Sequence, residues 1–472
     1  MSSRSSIRRG SFGRGLAISL AGIRAGGAFA IGSALGRLRG GDGDDSALMR
    51  REALRFSAEL GRLKGSYVKI GQMLALLGEH FLPAALTDAL HELESQTAPL
   101  PWAEIETELR RALGSRYREL HLDSKPLAAA SMAQVHRCTQ CRSGEEMVLK
   151  VQYPGLAELI DDDFDAVVRM LVLARWIKAG RDLDQWLQHM REQLHHEIDY
   201  LREAAMTRAA RERMHGQRSG EVEYLVPAVL DRYCSDTVLA LEFMPGHRVT
   251  QPEVSRLPQA RRDALGRAML ELFFIELYDW GVLQTDPNFG NYLIQSDAHG
   301  DKIVMLDFGS TIACDDDFRG HFGAAIAAGQ GGDRELLADS LIGLGCLQPE
   351  ATDFARESFS EFCEMLLEPL RDPQALPEEY LNANGEYCWG RSRLMQRVGK
   401  LATSSAATRH FATPSRDFSL IVRKLTGVFT FITVLDAEFN GHQIAQRYID
   451  GWNGAAKGAA DATGRREHAG LR

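Results

Sequence analysis

The chain has 472 residues, of which 44% are hydrophobic and 25% charged, the balance of an ordinary globular protein and long enough for a two-lobed core with an extension. A formal charge of -9 argues against nucleic acid as a main partner, because a surface that tracks phosphates needs an excess of Lys and Arg. Seven cysteines, odd in number and scattered from Cys138 to Cys388, do not form a disulfide framework and point to a reducing, intracellular compartment.

Residues 1–40 reverse the overall charge: they carry Arg4, Arg8, Arg9, Arg14, Arg24, Arg37 and Arg39 and no acid, so their natural partner is an anionic surface. Between Gly15 and Gly36 only Arg24 is charged, nearly the length of a membrane span, but a central Arg costs about 2.5–3.5 kcal/mol on insertion scales. Gly22 with Gly26 and Gly32 with Gly36 add small residues at the spacing of close helix packing. An interfacial helix, a span, a helix packed on the protein and a cleaved transit peptide all fit this segment.

The run Gly40-Gly41-Asp42-Gly43-Asp44-Asp45-Ser46 reads as a flexible linker. A long helical pattern follows, containing Lys69-Ile70-Gly71-Gln72, then Phe81-Leu82-Pro83 and a helix through Leu86, Leu90 and Leu93. Composition alone makes Lys69 a solvated lysine. Next stands an Ala-rich turn, Ala128-Ala129-Ala130-Ser131-Met132-Ala133, with Val135 behind it and Lys150 on the following strand pattern Val148–Val151. Cys138 and Cys141 fall between those two strand patterns without a second ligand pair, which disfavours a zinc site.

Asp184 to Met214 reads as a charged helix carrying Glu197, Asp199 and Glu203. Val238–Gly246 reads as a buried strand ending in a Pro-Gly turn, with Glu242 and Met244 near its end. The segments Phe318–Leu344, Ala355–Leu370 and Arg416–Leu435 read as helices, and the residues after Lys457 as a disordered tail.

The most informative stretch is Gln284-Thr285-Asp286-Pro287-Asn288-Phe289-Gly290-Asn291, followed by Asp307-Phe308-Gly309. An Asp with an Asn five positions on, then Asp-Phe-Gly at hairpin distance, is how a protein-kinase fold builds a phosphoryl-transfer site. Asn291 and Asp307 supply the hard oxygens that hold Mg2+ on ATP or ADP, and Asp286 stands where the attacking group arrives. Lys150 then becomes the phosphate-pairing lysine, with Glu203 favoured over Glu197 as its partner. Ala128, Ala130 and Ala133 occupy the three glycine positions of a kinase phosphate loop, and a Cβ at each restricts how the backbone approaches a phosphate. The Glu242–Met244 segment suits the hinge that meets adenine. No Ala-Pro-Glu follows Asp307-Phe308-Gly309.

Taken together, Lys69-Ile70-Gly71-Gln72, Ala128-Ala129-Ala130-Ser131, Lys150-Val151-Gln152-Tyr153-Pro154-Gly155, Glu197-x-Asp199, Gln284-Thr285-Asp286-Pro287-Asn288 and Asp307-Phe308-Gly309 resemble the UbiB/AarF family of atypical kinase-like proteins, over about residues 50–440. The resemblance implies an α+β, two-lobed atypical kinase-like fold with an N-terminal helical extension. Lys69 and Gln72 of that extension would occupy the active-site mouth in contact with Glu197 and Asp199, and the Ala-rich loop, Ala128 to Ser131, would favour ADP or limit phosphoryl transfer. It further implies ATPase activity supporting ubiquinone biosynthesis, with a small-molecule or protein kinase, or a nucleotide-binding pseudokinase scaffold, as alternatives. Isoprenoid-quinone biosynthetic enzymes or lipids and an anionic membrane are the implied partners, and a bacterial cytoplasmic face and a mitochondrial matrix side both fit. Unlike some bacterial relatives, the chain has no apolar run beyond Arg416 long enough to span a membrane. The expected domains are 1–45, a basic segment and linker; 46–120, the helical extension; 121–245, the nucleotide-binding lobe; 246–455, the helical lobe; and 456–472, the tail.

Overall fold

The computed structural model describes residues 43–453 except Lys64, 78–81, 92–98, Arg175, 178–182, Pro287, His299 and 407–415. The readings made for residues 1–40 and for the C-terminal tail lie outside the described residues. The described chain forms two compact units. The first runs to Arg208 and includes Ala228–Phe243, and the second comprises Ala209–Pro227 and the chain from Met244 onward.

In chain order the strands are β1 (Leu120–Leu122), β2 (Ala128–Ala129), β3 (Ala133–Gln140), β4 (Glu146–Gln152), β5 (Arg218–Ser219), β6 (Val222–Leu225), β7 (Val238–Glu242), β8 (Val282–Gln284), β9 (Tyr292–Asp297), β10 (Gly300–Met305) and β11 (Thr311–Ala313).

The first unit begins with α1 (Gly43–Leu63), α2 (Ser66–Leu77) and α3 (Ala84–His91). Their apolar residues recur at helical spacing, Ala53, Phe56 and Leu60 on α1 and Tyr67, Ile70 and Leu74 on α2, and all are buried. They share a core with Phe164, Val167 and Leu171 of α5 and Met190 and Leu194 of α6. Here α4 is Trp102–Leu113, α5 Leu156–Leu173, α6 Leu183–Ile198 and α7 Tyr200–Met214.

The unit's antiparallel sheet has the order β1-β3-β4-β7, with β2 paired to β3. Strand β4 alternates: Met147, Leu149 and Val151 are buried while Val148 and Lys150 are half-buried, as a strand with two unlike faces must. One face packs on Ile105, Leu109 and Leu113 of α4. The other places Leu239 and Leu241 against Tyr200 and Ala204 of α7. Each such large side chain contributes about 1.5–3 kcal/mol on full burial.

In the second unit β10 pairs parallel to β6 and antiparallel to β9, and β11 pairs antiparallel to β8. The central helix α8 (Gln259–Phe274) is buried almost continuously from Leu265 and passes into a π turn, Ile275–Asp279. Its Gly266 is required by packing, since a Cβ there would come within 2.9 Å of Ala437 and Phe439 side-chain atoms. The remaining helices used below are α9 (Asp316–Gly331), α10 (Arg334–Gly343), α11 (Asp353–Leu366), α12 (Leu394–Ala406) and α13 (Arg416–Val434). No helix among the described residues is long and apolar enough to cross a membrane.

Four sequence expectations are corrected. Gly43 to Ser46, read as linker, belong to α1. The single helix expected over Asp184–Met214 is two, broken at Asp199, whose carboxylate accepts the Arg202 amide at 2.9 Å and caps the second helix. Phe318–Leu344 is likewise two helices, because Gly332 ends α9 at a φ of 69°. Ala355–Leu370 ends as an α-helix at Leu366, and Glu368–Leu370 continues as a 3-10 turn around Pro369.

Candidate active site

Lys150 leaves β4 on the face that carries α7. Its Nζ lies 2.7 and 2.8 Å from the two carboxylate oxygens of Glu203 and 5.3 Å from the Tyr200 ring centroid. Glu203 is only 3% exposed, and its own backbone amide donates to Asp199 O at 3.0 Å. The cap at Asp199 therefore sets the helical turn from which Glu203 reaches the lysine.

Glu197, at the end of α6, instead pairs with Lys69 of α2, Nζ to Oε1 at 2.6 Å. Asp199 differs from the expectation that it joins Glu197 at Lys69 and Gln72: its carboxylate is engaged by the α7 amide. Gln72 lies three residues along from Lys69 and is half-buried. Gln152, buried next to Lys150 on β4, donates to Ile198 O and, at 3.3 Å, to Asp236 O. One strand end thus fastens the end of α6 while presenting the lysine.

The Ala-rich turn is closed by its own backbone. Leu127 N donates to Val135 O and Ala130 N to Ala133 O, both at 2.8 Å. Tyr153 clamps it from below, its amide donating to Met132 O at 3.0 Å and its hydroxyl to Ala130 O at 3.1 Å. Burial pushes the Tyr153 hydroxyl well above the usual tyrosine range, so it remains a donor. None of Ala128 to Ala133 has a positive φ, so alanine occupies the turn without backbone strain. Ala128, Ala129 and Ser131 are half-buried and Ala130 is exposed.

At the end of β7 the Glu242 carboxylate accepts the Ala228 amide at 3.0 Å, so this side chain braces a neighbouring segment. Met244 is half-buried and begins the second unit's main stretch.

In the second unit the loop Thr285–Asn291 is suspended between β8 and β9. Thr285 is tied to Ser310 by backbone N to O at 2.9 Å and by hydroxyl to hydroxyl at 2.8 Å. The β9–β10 hairpin extends by one more bond, Leu306 N to Asn291 O at 2.9 Å, which brings the chain of Asp307 beside Asn291. Asn291 Nδ2 donates to Asp286 Oδ2 at 2.9 Å, and that orientation turns its Oδ1 away from Asp286. Asp307 Oδ1 accepts the Gly309 amide at 2.8 Å. A side-chain oxygen from each of Asn291 and Asp307 suits Mg2+, which takes one or two protein ligands and completes its shell with phosphates and water. Among the described residues no group of three or more His, Cys, Asp and Glu side chains forms a metal site.

Two cations of α13 were missed in the sequence. Arg423 Nη2 lies 3.5 Å from Asp286 Oδ1, and Lys424, 1% exposed, pairs with Glu276 Oε2 at 3.1 Å. Burial drives the Glu276 carboxyl above its usual range against the pull of Lys424. Burial alone would lower Lys424, but Glu276 and Tyr292 overcome it and hold the ammonium above its ordinary value. We take the pair as ionised, since Lys424 has an acceptor for each N–H. The legible signal was a Lys inside the apolar pattern Ile421, Leu425, Val428, where a charge is not left without a partner.

Comparison with known proteins gives the same frame. Residues 92–341 match the ABC1 atypical kinase-like domain. The chain is 29% identical over 86% of its length to the mitochondrial atypical kinase coq-8 of Caenorhabditis elegans and spans about half, 52%, of that relative. It is 28% identical to the mitochondrial atypical kinase COQ8B of Rattus norvegicus, over 82% of this chain and 70% of that one. A solved structure of Rv3197 with erythromycin from Mycobacterium tuberculosis superposes with a TM-score of 0.59 at 24% identity, covering 86% of this chain and 97% of the other. That likeness concerns the fold.

Proposed function

Because the chain belongs to the ABC1 atypical kinase-like family, we propose that it binds Mg-ATP and ADP and turns ATP over in support of ubiquinone biosynthesis. The observation that carries the reading is the hydrogen bond from Asn291 to Asp286, on a loop whose hairpin brings Asp307 alongside. A scaffold that only held nucleotide would have no chemical need for that arrangement, so turnover is favoured over a pseudokinase role.

Asn291 and Asp307 would hold the magnesium ion, which neutralises charge on the phosphates when bound. Lys150, oriented by both oxygens of Glu203, meets the phosphates as a fixed cation. Asp286, with Asn291 on one oxygen and Arg423 near the other, accepts the proton of the attacking hydroxyl or water. Tyr153 and the turn's backbone hold Ala128 to Ser131 in one pose, which fits a preference for ADP. The backbone around Glu242 and Met244 is the proposed adenine contact. Lys69 and Glu197 form the proposed regulatory pair, linking the helical extension to α6. Membrane association falls to residues 1–40, whose Arg residues are each worth about 1 kcal/mol near an anionic surface. Vesicle co-sedimentation of the full chain against a chain starting at Asp45 checks this, and equal binding would refute it.

The test of the chemistry is Asp307→Asn. It keeps size and removes the charge that holds the ion, so magnesium-dependent ATP turnover should fall by about 100-fold or more with the fold intact. Turnover at the unmodified rate would reject the assignment. In a deletion strain, the Asp307→Asn chain should fail to restore ubiquinone where the unmodified chain succeeds.

A further inference from the structure

Beneath the loop that carries Asp286 lies an ion pair that stability alone does not account for. Lys424 and Glu276 are each 1% exposed, and replacing such a buried pair by apolar residues of similar volume is often neutral or stabilising. What distinguishes this pair is where its hydrogen bonds go. An ammonium has three N–H donors. Those of Lys424 meet Glu276 Oε2 at 3.1 Å, Gln284 Oε1 at 3.0 Å and the Tyr292 hydroxyl at 2.8 Å. Gln284 is the last residue of β8 and Tyr292 the first of β9, so one ammonium holds both stems of the loop between them.

The network then continues into the loop itself. Gln284 Nε2 donates to the backbone oxygen of Asp286 at 2.8 Å. The Gln284 backbone amide donates to Glu276 Oε2 at 3.2 Å, and the Tyr292 hydroxyl donates to Gln284 Oε1 at 3.2 Å. Glu276 reaches this point from the π turn that ends α8, a local widening of the helix of the kind that serves functional sites. The neighbouring Arg423 lies 3.5 Å from the Asp286 carboxylate, so α13 meets the loop's carboxylate with Arg423 and its two stems with Lys424.

We propose that Lys424 and Glu276 are positioning residues that fix the Asp286 loop through Gln284 and Tyr292, so that α13 sets the rate of phosphoryl transfer without touching nucleotide. The kinetic consequence rests on the ATP-turnover reading above, while the mechanical claim does not.

Full-length Lys424→Met, Glu276→Leu and the double variant test it by melting temperature, ADP affinity, ATP turnover and amide exchange over residues 284–292. Lys424→Met alone strands a buried carboxylate and should lower the melting temperature, and the double variant should recover most of that loss. In the recovered double variant, ADP affinity should stay within about twofold while kcat falls about 100-fold, the usual consequence of misplacing a catalytic group by about 1 Å. Exchange over 284–292 should quicken in the same variant while the β9–β10 hairpin keeps its protection. A double variant with restored melting temperature, unmodified kcat and unmodified loop exchange would overturn the proposal. If the double variant does not fold, Tyr292→Phe decides, since it removes the hydroxyl that accepts from Lys424 and donates to Gln284: faster loop exchange supports the positioning role, and unchanged exchange rejects it. An unmodified chain without magnesium-dependent turnover would reject the ATPase reading, and the exchange comparison would still decide the positioning claim.

Discussion

At the scale of single residues, the proposed preference for ADP rests on the backbone pose of the Ala-rich turn, Ala128 to Ser131. Its alanines have ordinary negative φ values, so they are not strained substitutes for glycine, and they commit the turn to a conformation that glycine would leave optional. The hydroxyl of Tyr153 on Ala130 O is the fastening that the Lys150-Val151-Gln152-Tyr153 run adds to that choice. Tyr153→Phe should therefore act in the same direction as Ala129→Gly, moving preference from ADP toward ATP. The loss of one hydrogen bond should cost about 1 kcal/mol of stability. Paired titrations of ADP and ATP into each variant measure the ratio, and a Tyr153→Phe ratio equal to that of the unmodified chain would show the pin to be irrelevant.

Among the elements, the break between α6 and α7 separates two acidic residues six positions apart and sends them to different lysines. Glu197 goes to Lys69 and Glu203 to Lys150, and Asp199 makes the break by capping. Asp199→Ala should cost about 1 kcal/mol, the usual loss on removing a cap, and should weaken ADP binding because Glu203 lies in the first turn of the capped helix. Asp199→Asn keeps an acceptor oxygen and should restore both. Chemical denaturation with ADP titration reads the two effects, and unchanged ADP affinity in Asp199→Ala would uncouple the cap from the lysine. This junction also marks the limit of what sequence made legible. Asp286, Asn291 and Asp307 were legible as candidates because the chemistry proposed for them fixes their spacing along a loop and hairpin. Asp199 could not be read as a break, since an Asp fits the polar face of a helix as readily as its cap. Arg423 and Lys424 lie more than a hundred residues from Asp286, and only the packing of α13 beside β8 and β9 brings them to the loop.

For the whole molecule, ligand binding to the folded state becomes a stability measurement. A ligand that binds only the native chain stabilises it by about 2.7 kcal/mol at a hundred times its dissociation constant, a shift of roughly 5–10 °C for units of a few hundred residues. The roles proposed here divide that shift into two parts. Lys150 with Glu203 provides a cation for the phosphates without need of a metal, whereas Asn291 and Asp307 act only through magnesium. Scanning calorimetry of the full chain with ADP should therefore show one increment without magnesium and a larger one with it. Asp307→Asn should keep the first increment and lose the gain from magnesium. Lys150→Ala should diminish both, because the phosphates lose their fixed cation whether or not the ion is present. The comparison separates binding from catalysis, since no turnover is required. If Asp307→Asn gains as much from magnesium as the unmodified chain, the ion is held elsewhere and the assignment of Asp307 fails even if nucleotide binding is confirmed.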